Sequence, residues 1–189
     1  PSLLEMFKTY STNEKKIYVM AHFNHPRELT PEAIEGLNLL MQSGVLLVNQ
    51  TPLVQGVNDD PQVLADLFSK LSYIGVPPYY LFLCRPTLGN ETYSVPVERG
   101  YEIFEKAKTL CSGLAKRARL VMSHESGKIE VIGMSEDQIF FKYARAAENG
   151  NDARFLAFYR NPEACWFDDY HEALDEFSLF SETAKVGCL

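Results

Sequence analysis

Ser123-His124-Glu125-Ser126-Gly127-Lys128 gathers hydroxyls, an imidazole, a carboxylate and a primary amine in one short stretch. The apolar run Leu120-Val121-Met122 precedes it and the alternating run Ile129 to Met134 follows, so it reads as a tight connection leaving the end of a strand. Lys128 is expected at the root of that loop. An amine held at the mouth of an apolar barrel loses enough charge to act as a nucleophile, which is Schiff-base chemistry. Gly127 beside it would let a planar or phosphorylated group approach the backbone closely. Gly and Lys are also ordinary turn and surface residues, so a solvated hairpin corner fits the same text.

The upstream candidates divide in the same way. His22 and His25 would pair on a metal only if they shared a helix face; at a strand end they diverge, and no third ligand stands at suitable spacing. A hydrolase built on them lacks a nucleophile. Asn49-Gln50 offers amides that can read an amino acid or nucleoside, or simply cap a loop. Arg85, between Cys84 and Pro86, is a guanidinium at a strand's C-terminal end, suited to a carboxylate, a phosphate or a rim salt bridge. Cys84 reads as a small packing residue, and Gly56 to Pro61 as turn chemistry leading into a helix cap.

These residues need a scaffold, and the hydrophobic pattern supplies one. Leu3, Leu4, Phe7 and Tyr10 keep helical spacing; Ser2 to Phe7 reads as the middle of a helix, as though the chain had lost its beginning. Ile17 to Phe23 is a continuous apolar run expected to be a strand covered on both sides. Thr30-Pro31-Glu32 starts a helix through Ile34, Leu37 and Met41, and Val45 to Val48 is the next strand, ending at Asn49-Gln50. Asp60-Pro61 starts another helix, followed by the strand Tyr79 to Leu83. A third unit begins near Pro96 and ends in the strand Arg119 to Met122. Alternating strands and helices imply βαβ units with every strand-to-helix loop at one rim, which is where His22, Gln50, Arg85, Ser123 and Lys128 fall.

After Lys128 the grammar changes. Ile129 to Met134, Gln138 to Ala144 and Arg154 to Tyr159 alternate like antiparallel strands, and residues 162–180 are expected to form a helix around Tyr170 to Phe177, with a frayed end. The fold class read here is α/β: the later half of a partial parallel (βα) barrel over 1–122, then the Lys128 loop, a small antiparallel β extension and an acidic C-terminal helix over 123–189. The chain has 189 residues, 46% apolar, with a net charge of −7. Such a composition fits one globular core and argues against nucleic acid or an anionic membrane surface, which need clustered Lys and Arg. No apolar run approaches the ~20 residues that cross a bilayer. Four scattered cysteines without a C-x-x-C pair define neither a disulfide framework nor a zinc set, so a cytoplasmic setting is expected.

Several segments together resemble one family. His22-Phe23-Asn24-His25-Pro26 with Glu28 and Thr30-Pro31-Glu32, Asn49 to Asp59, Pro78-Tyr79-Tyr80 to Cys84, Thr92 to Gly100, Cys111-Ser112-Gly113-Leu114 and Gly127-Lys128 occur in order. Over residues 17–128 the chain resembles the latter half of the lysine 2,3-aminomutase family of radical S-adenosylmethionine (SAM) enzymes. The resemblance implies pyridoxal phosphate (PLP) on Lys128, which makes the 128 loop a PLP-lysine loop, and SAM in contact with His22 and Gln50. It also implies a 4Fe-4S cluster that cleaves SAM so that an amino group migrates between adjacent carbons of an amino acid. The chain departs from the family in three ways. The C-x-x-x-C-x-x-C cluster motif is absent, as are the earlier strands and the arginine-rich phosphate contacts that the family places there, so these residues alone cannot reduce SAM. Arg85 and Ser123 stand where lysine-specific members carry aspartates, which implies an acidic amino acid as substrate. Asp60 replaces a zinc-ligating cysteine, so no zinc is expected. Phe82 also stands where members have a tyrosine. The rival reading is a non-catalytic binding or assembly domain derived from the same barrel, and open strand edges invite a homo-oligomer.

Overall fold

A computed structural model describes residues 2–148, 151–171 and 173–177. Four strands, β1 (Tyr18–Ala21), β2 (Leu46–Leu53), β3 (Pro78–Leu83) and β4 (Arg119–His124), pair in parallel. Four more, β5 (Gly127–Met134), β6 (Gln138–Ala146), β7 (Phe155–Tyr159) and β8 (Asp175–Phe177), continue the same sheet antiparallel. Strand order in space follows strand order in the sequence. The result is one mixed α/β sheet that changes from parallel to antiparallel pairing at β4. Among the described residues β1 and β8 each have one partner strand.

Four helices accompany the strands: α1 (Leu3–Tyr10), α2 (Pro31–Gln42), α3 (Pro61–Tyr73) and α4 (Val97–Thr109). The sequence marks their starts. Thr30 Oγ1 accepts from the Ala33 amide at 3.2 Å with Pro31 next in line, and Asp60 Oδ1 accepts from the Gln62 and Val63 amides with Pro61 next. The carboxylate of Asp60 is thus committed to helix capping. Ser2 to Phe7 is the start of a helix rather than its middle: Ser2 Oγ accepts from the Glu5 amide while Glu5 Oε2 accepts from the Ser2 amide at 2.7 Å.

The sheet buries one face. Leu47, Leu53, Leu81, Leu83, Leu120, Met122, Ile129 and Phe141 form a continuous core with Leu64, Leu67, Phe68, Ile103 and Phe104 of the helices. Gly100 lets α4 approach, since a Cβ there would come within 2.9 Å of Leu83 Cδ2 and 3.0 Å of Leu53 Cδ2. The other face is open, which corrects the expectation for β1: Tyr18 is 66% and Met20 41% exposed, so that apolar run is covered on one side only. Strand β2 also runs on past Asn49-Gln50 to Leu53 with strict alternation of burial.

The expected C-terminal helix is absent among the described residues. The chain instead makes a single turn at Phe167–Asp169 and adds β8 to the edge of β7. Packing outweighs local propensity here. Phe167 and Tyr170 sit edge-on to Phe141 at 5.4 and 5.1 Å, and Asp169 Oδ2 accepts from the Cys165 and Trp166 amides. The buried Glu98 of α4 anchors the approach to this turn, accepting from Arg160 Nε at 2.9 Å and the Asn161 amide at 2.6 Å. The frayed end expected for the last residues lies outside the described residues. No helix among them is long and apolar enough to cross a membrane.

Candidate functional site

Strands β4 and β5 form a hairpin in which Ser123 faces Lys128 and His124 faces Gly127, leaving Glu125-Ser126 as the turn. Lys128 therefore lies on a strand, one step inside the hairpin, rather than at the root of a loop. Gly127 has a packing reason that its sequence context did not suggest. Its φ is +138°, and a Cβ would run into the Arg145 carbonyl and stand 2.8 Å from Ala146 Cα. The space a side chain would take is filled by the backbone at the end of β6.

The turn is fixed by His124. The Ser126 amide donates to His124 Nδ1 at 3.1 Å, and the Ser126 hydroxyl lies 2.6 Å from the same nitrogen and 2.8 Å from the Tyr143 hydroxyl. With Nδ1 accepting, Nε2–H donates to Asp168 Oδ1 at 2.9 Å. His124 thereby ties the hairpin to the turn carrying Trp166 and Phe167.

Lys128 projects onto the open face. Its Nζ lies 4.1 Å from the centroid of Tyr80 and 5.2 Å from that of Phe82. A register shift at Asn49/Gln50 leaves Tyr79 unpaired on β3, so that Tyr79 and Tyr80 reach the same side and their hydroxyls meet at 3.4 Å. Arg119 Nη2 donates to the Tyr80 hydroxyl at 3.0 Å and pairs with Glu130 at 3.6 Å. Burial is the main force that pushes Tyr80 up to about 12. Lys128 has no carboxylate partner among the described residues. Partial burial pushes its ammonium below the ordinary lysine range; Tyr79 opposes this, and Arg119 and Arg145 add to it. The neutral amine is the nucleophile, so the lowered value raises the reactive fraction at any pH beneath it. A pH series of aldehyde trapping at Lys128 should reach half-maximal rate below the pH of an ordinary lysine; a midpoint at or above it contradicts the assignment.

Two adjoining clefts open at the C-terminal ends of the parallel strands. One, of about 370 Å³, is lined by His22, Gln50, Phe82, Arg85, Ser123 and Trp166 among others. The second, of about 340 Å³, is lined by Ser123, Lys128 and Arg145 with the backbone side of Gly127 and two alanines. Ser123 belongs to both, and Phe82 touches both the first cleft and the Lys128 amine. His22, Gln50, Arg85 and Ser123 thus share one cleft, and Lys128 sits next door.

Other candidates serve the fold. His25 Nδ1 accepts from the Arg27 amide and caps a short turn. Asn49 is buried and spans Phe23, accepting from its amide at 2.8 Å and donating to its carbonyl at 3.0 Å. Asn58 likewise donates to the carbonyls of Asn24 and Pro52. Cys84 Sγ donates to the Leu53 carbonyl, and burial pushes its thiol up, away from nucleophilic use. Among the described residues no three His, Cys, Asp or Glu side chains converge to hold a metal ion. Sequence reasoning missed Trp166 and Arg145. The first carried one signal, as the sole tryptophan of the chain. The second carried none, because its register depends on bulges.

No family model matches the chain. A protein of Aquifex aeolicus named "Putative L-lysine 2,3-aminomutase" is 52% identical over 178 residues, 94% of this chain and 48% of that one. The L-lysine 2,3-aminomutase of Clostridium subterminale is 41% identical over 113 residues, 60% of this chain and 26% of that one. This chain is a relative of the lysine 2,3-aminomutases. The glutamate 2,3-aminomutase of Clostridioides difficile is 36% identical over 111 residues, 59% of this chain and 26% of that one. The chain thus spans about half the length of the Aquifex aminomutase and about a quarter of the two clostridial ones. The 178-residue match carries the likeness to the aminomutases beyond Lys128 into the antiparallel strands.

Proposed function

We propose that this chain is the PLP-bearing portion of a radical SAM 2,3-aminomutase that acts on an acidic amino acid, its parallel strands forming the later part of a partial barrel. The observation that carries the reading is the Lys128 amine, free of any carboxylate among the described residues and set against Tyr80 and Phe82 beside the cleft that holds Arg85. The donor set suits PLP: a half-buried amine of lowered basicity stands next to aromatic faces that would flank a planar ring. Hydrogen-bonding groups at His22 and Gln50 suit the polar groups of SAM. A 4Fe-4S cluster does not fit these residues, because Cys84, Cys111 and Cys165 lie on separate elements and no C-x-x-x-C-x-x-C occurs in the 189 residues. The cluster must be held elsewhere.

PLP, when bound, supplies a delocalised π system that stabilises an unpaired electron next to a migrating amino group. The chain's own residues bind and position. The Lys128 amine would hold the cofactor through its aldehyde group, with Tyr80 and Phe82 lying against its nitrogen. Trp166, on the turn clasped by Asp168 and His124, walls off one side of the cleft from solvent. Arg85 has no carboxylate partner among the described residues and its carbonyl is pinned by Asn90 Nδ2 at 2.7 Å, so its guanidinium is available to a substrate's distal carboxylate. The same charge repels a distal ammonium.

An amino-acid screen tests this, using the polypeptide that contains these residues together with a cluster-binding motif and supplied with SAM, PLP and reductant. Glutamate or aspartate should turn over faster than lysine, and Arg85→Asp should shift the preference toward lysine by roughly fivefold, the upper end for a single exposed ion pair. Faster turnover of lysine by the unaltered enzyme refutes the acidic substrate. Absence of any amino-group migration leaves the binding or assembly domain as the better account.

A further inference from the structure

Trp166 is only 7% exposed, yet it lines the larger cleft with Arg85 and also a smaller cavity of about 210 Å³ beside it, which Arg85 lines too. A buried tryptophan ordinarily satisfies its indole N–H with an acceptor. Here that N–H donates to no group among the described residues, although the Trp166 backbone amide does find Asp169 Oδ2. Nor is it one of the buried polar atoms sealed in without a partner, so the small exposed part of the ring includes it.

The two cavities differ in sign. Glu125 and Asp168 line the smaller one, whereas no carboxylate lines the larger one, so an anion reaches Arg85 from the larger side. The ring is held there from the hairpin: His124 Nε2–H donates to Asp168 Oδ1 at 2.9 Å, and the His124 ring meets Phe167 edge-on at 5.4 Å. His124 is also paired across the hairpin with Gly127, the neighbour of Lys128. One imidazole thus relates the amine to the tryptophan.

We propose that Trp166 is a specificity-determining residue: its indole N–H is the second donor, beside Arg85, to the distal carboxylate of the substrate, and the Asp168–His124 bond positions it. The inference rests on the acidic-substrate reading above and deepens it. A guanidinium and an indole both donate and neither accepts, which suits a carboxylate and leaves the N–H groups of an ammonium or a carboxamide without a partner there.

Trp166 is the sole tryptophan, so the 189-residue chain labelled with nitrogen-15 gives one indole N–H resonance. The probe is glutarate, titrated at constant ionic strength, with 1,5-diaminopentane as the control of opposite charge. Glutarate should move the indole proton downfield, as a hydrogen bond to a carboxylate does, and the diamine should leave it in place. Trp166→Phe, which keeps an aromatic ring and loses the N–H, should weaken glutarate roughly fivefold or more, read from the backbone amides around Arg85. Asp168→Asn keeps an acceptor for His124 and should keep the indole shift, whereas Asp168→Ala should shrink the shift and weaken glutarate. The Asp168 side chain is 68% exposed, so its variants are expected to fold, and thermal melting checks this. Should Trp166→Phe melt early, the indole shift of the unaltered chain and the Asp168 pair carry the test. Glutarate bound at Arg85 with the indole proton unmoved, undiminished affinity in Trp166→Phe, or equal behaviour of the two Asp168 variants would overturn the role. If glutarate moves no resonance at Arg85 or Trp166, the acidic-substrate reading fails and this role falls with it, a result distinct from glutarate bound at Arg85 alone.

Discussion

Lys128→Ala is expected to abolish the visible absorption predicted when PLP is added to this chain, leaving only the spectrum of free PLP. The expectation follows from geometry as much as from residue type. The other lysines of the described residues do not share the cleft with Ser123 and Arg145, whereas burial disfavours the Lys128 ammonium and Tyr80 and Phe82 lie against its nitrogen. A surface lysine can react with PLP too, but slowly and without saturation at one equivalent, so a stoichiometric titration distinguishes the two. A band of undiminished height in Lys128→Ala would place the chemistry at another amine and remove the central residue from the proposal.

Gly127→Ala is expected to cost about 2–4 kcal/mol of folding stability, the range for a strained backbone combined with an overpacked neighbour. The added methyl has nowhere to go. It faces the Arg145 carbonyl, Ala146 Cα at 2.8 Å and the Ala147 nitrogen at 3.1 Å, all backbone atoms at the end of β6, and a φ of +138° is itself rarely adopted by an L side chain. Urea unfolding measures the loss, and it should appear with or without PLP. A variant of unchanged stability that only bound PLP more weakly would mean that the glycine makes room for a ligand after all. The two substitutions stand side by side in sequence and separate cleanly: Lys128→Ala spares the fold and removes the chemistry, whereas Gly127→Ala strains the fold first.

The sequence disclosed the parallel units through their punctuation. Thr30-Pro31 and Asp60-Pro61 start helices because an apolar stripe follows each of them, and those caps are in place. Because loops after parallel strands share one rim, His22, Gln50, Arg85 and Ser123 could be grouped before any coordinates, and they line one cleft. What the text withheld depends on long-range pairing. Tyr18 and Met20 look like core residues because hydropathy does not say which side of a sheet is covered. Tyr79 and Tyr80 look like opposite-facing neighbours until the bulge turns both to one side. Arg145 meets Lys128 beside the register shift between Lys128 and Ile129, which no periodicity predicts. The tail misled for a related reason: its aromatic residues answer to Phe141 and Phe158 on other strands, and short segments with such distant partners do not follow helical spacing.

The reversal of pairing at β4 also sets an order of assembly. Strands β4, β5 and β6 meet across short turns, as Ser123 does with Lys128, while Ala21 must wait for Asn49, and Leu81 for Leu120, across an intervening helix. Closing a short turn costs the chain little entropy and closing a crossover costs more, so the late meander forms early and offers β4 as a ready edge. The earlier strands then dock in succession onto a platform that was synthesised after them. The amine-bearing hairpin is therefore expected to form before the cleft beside it.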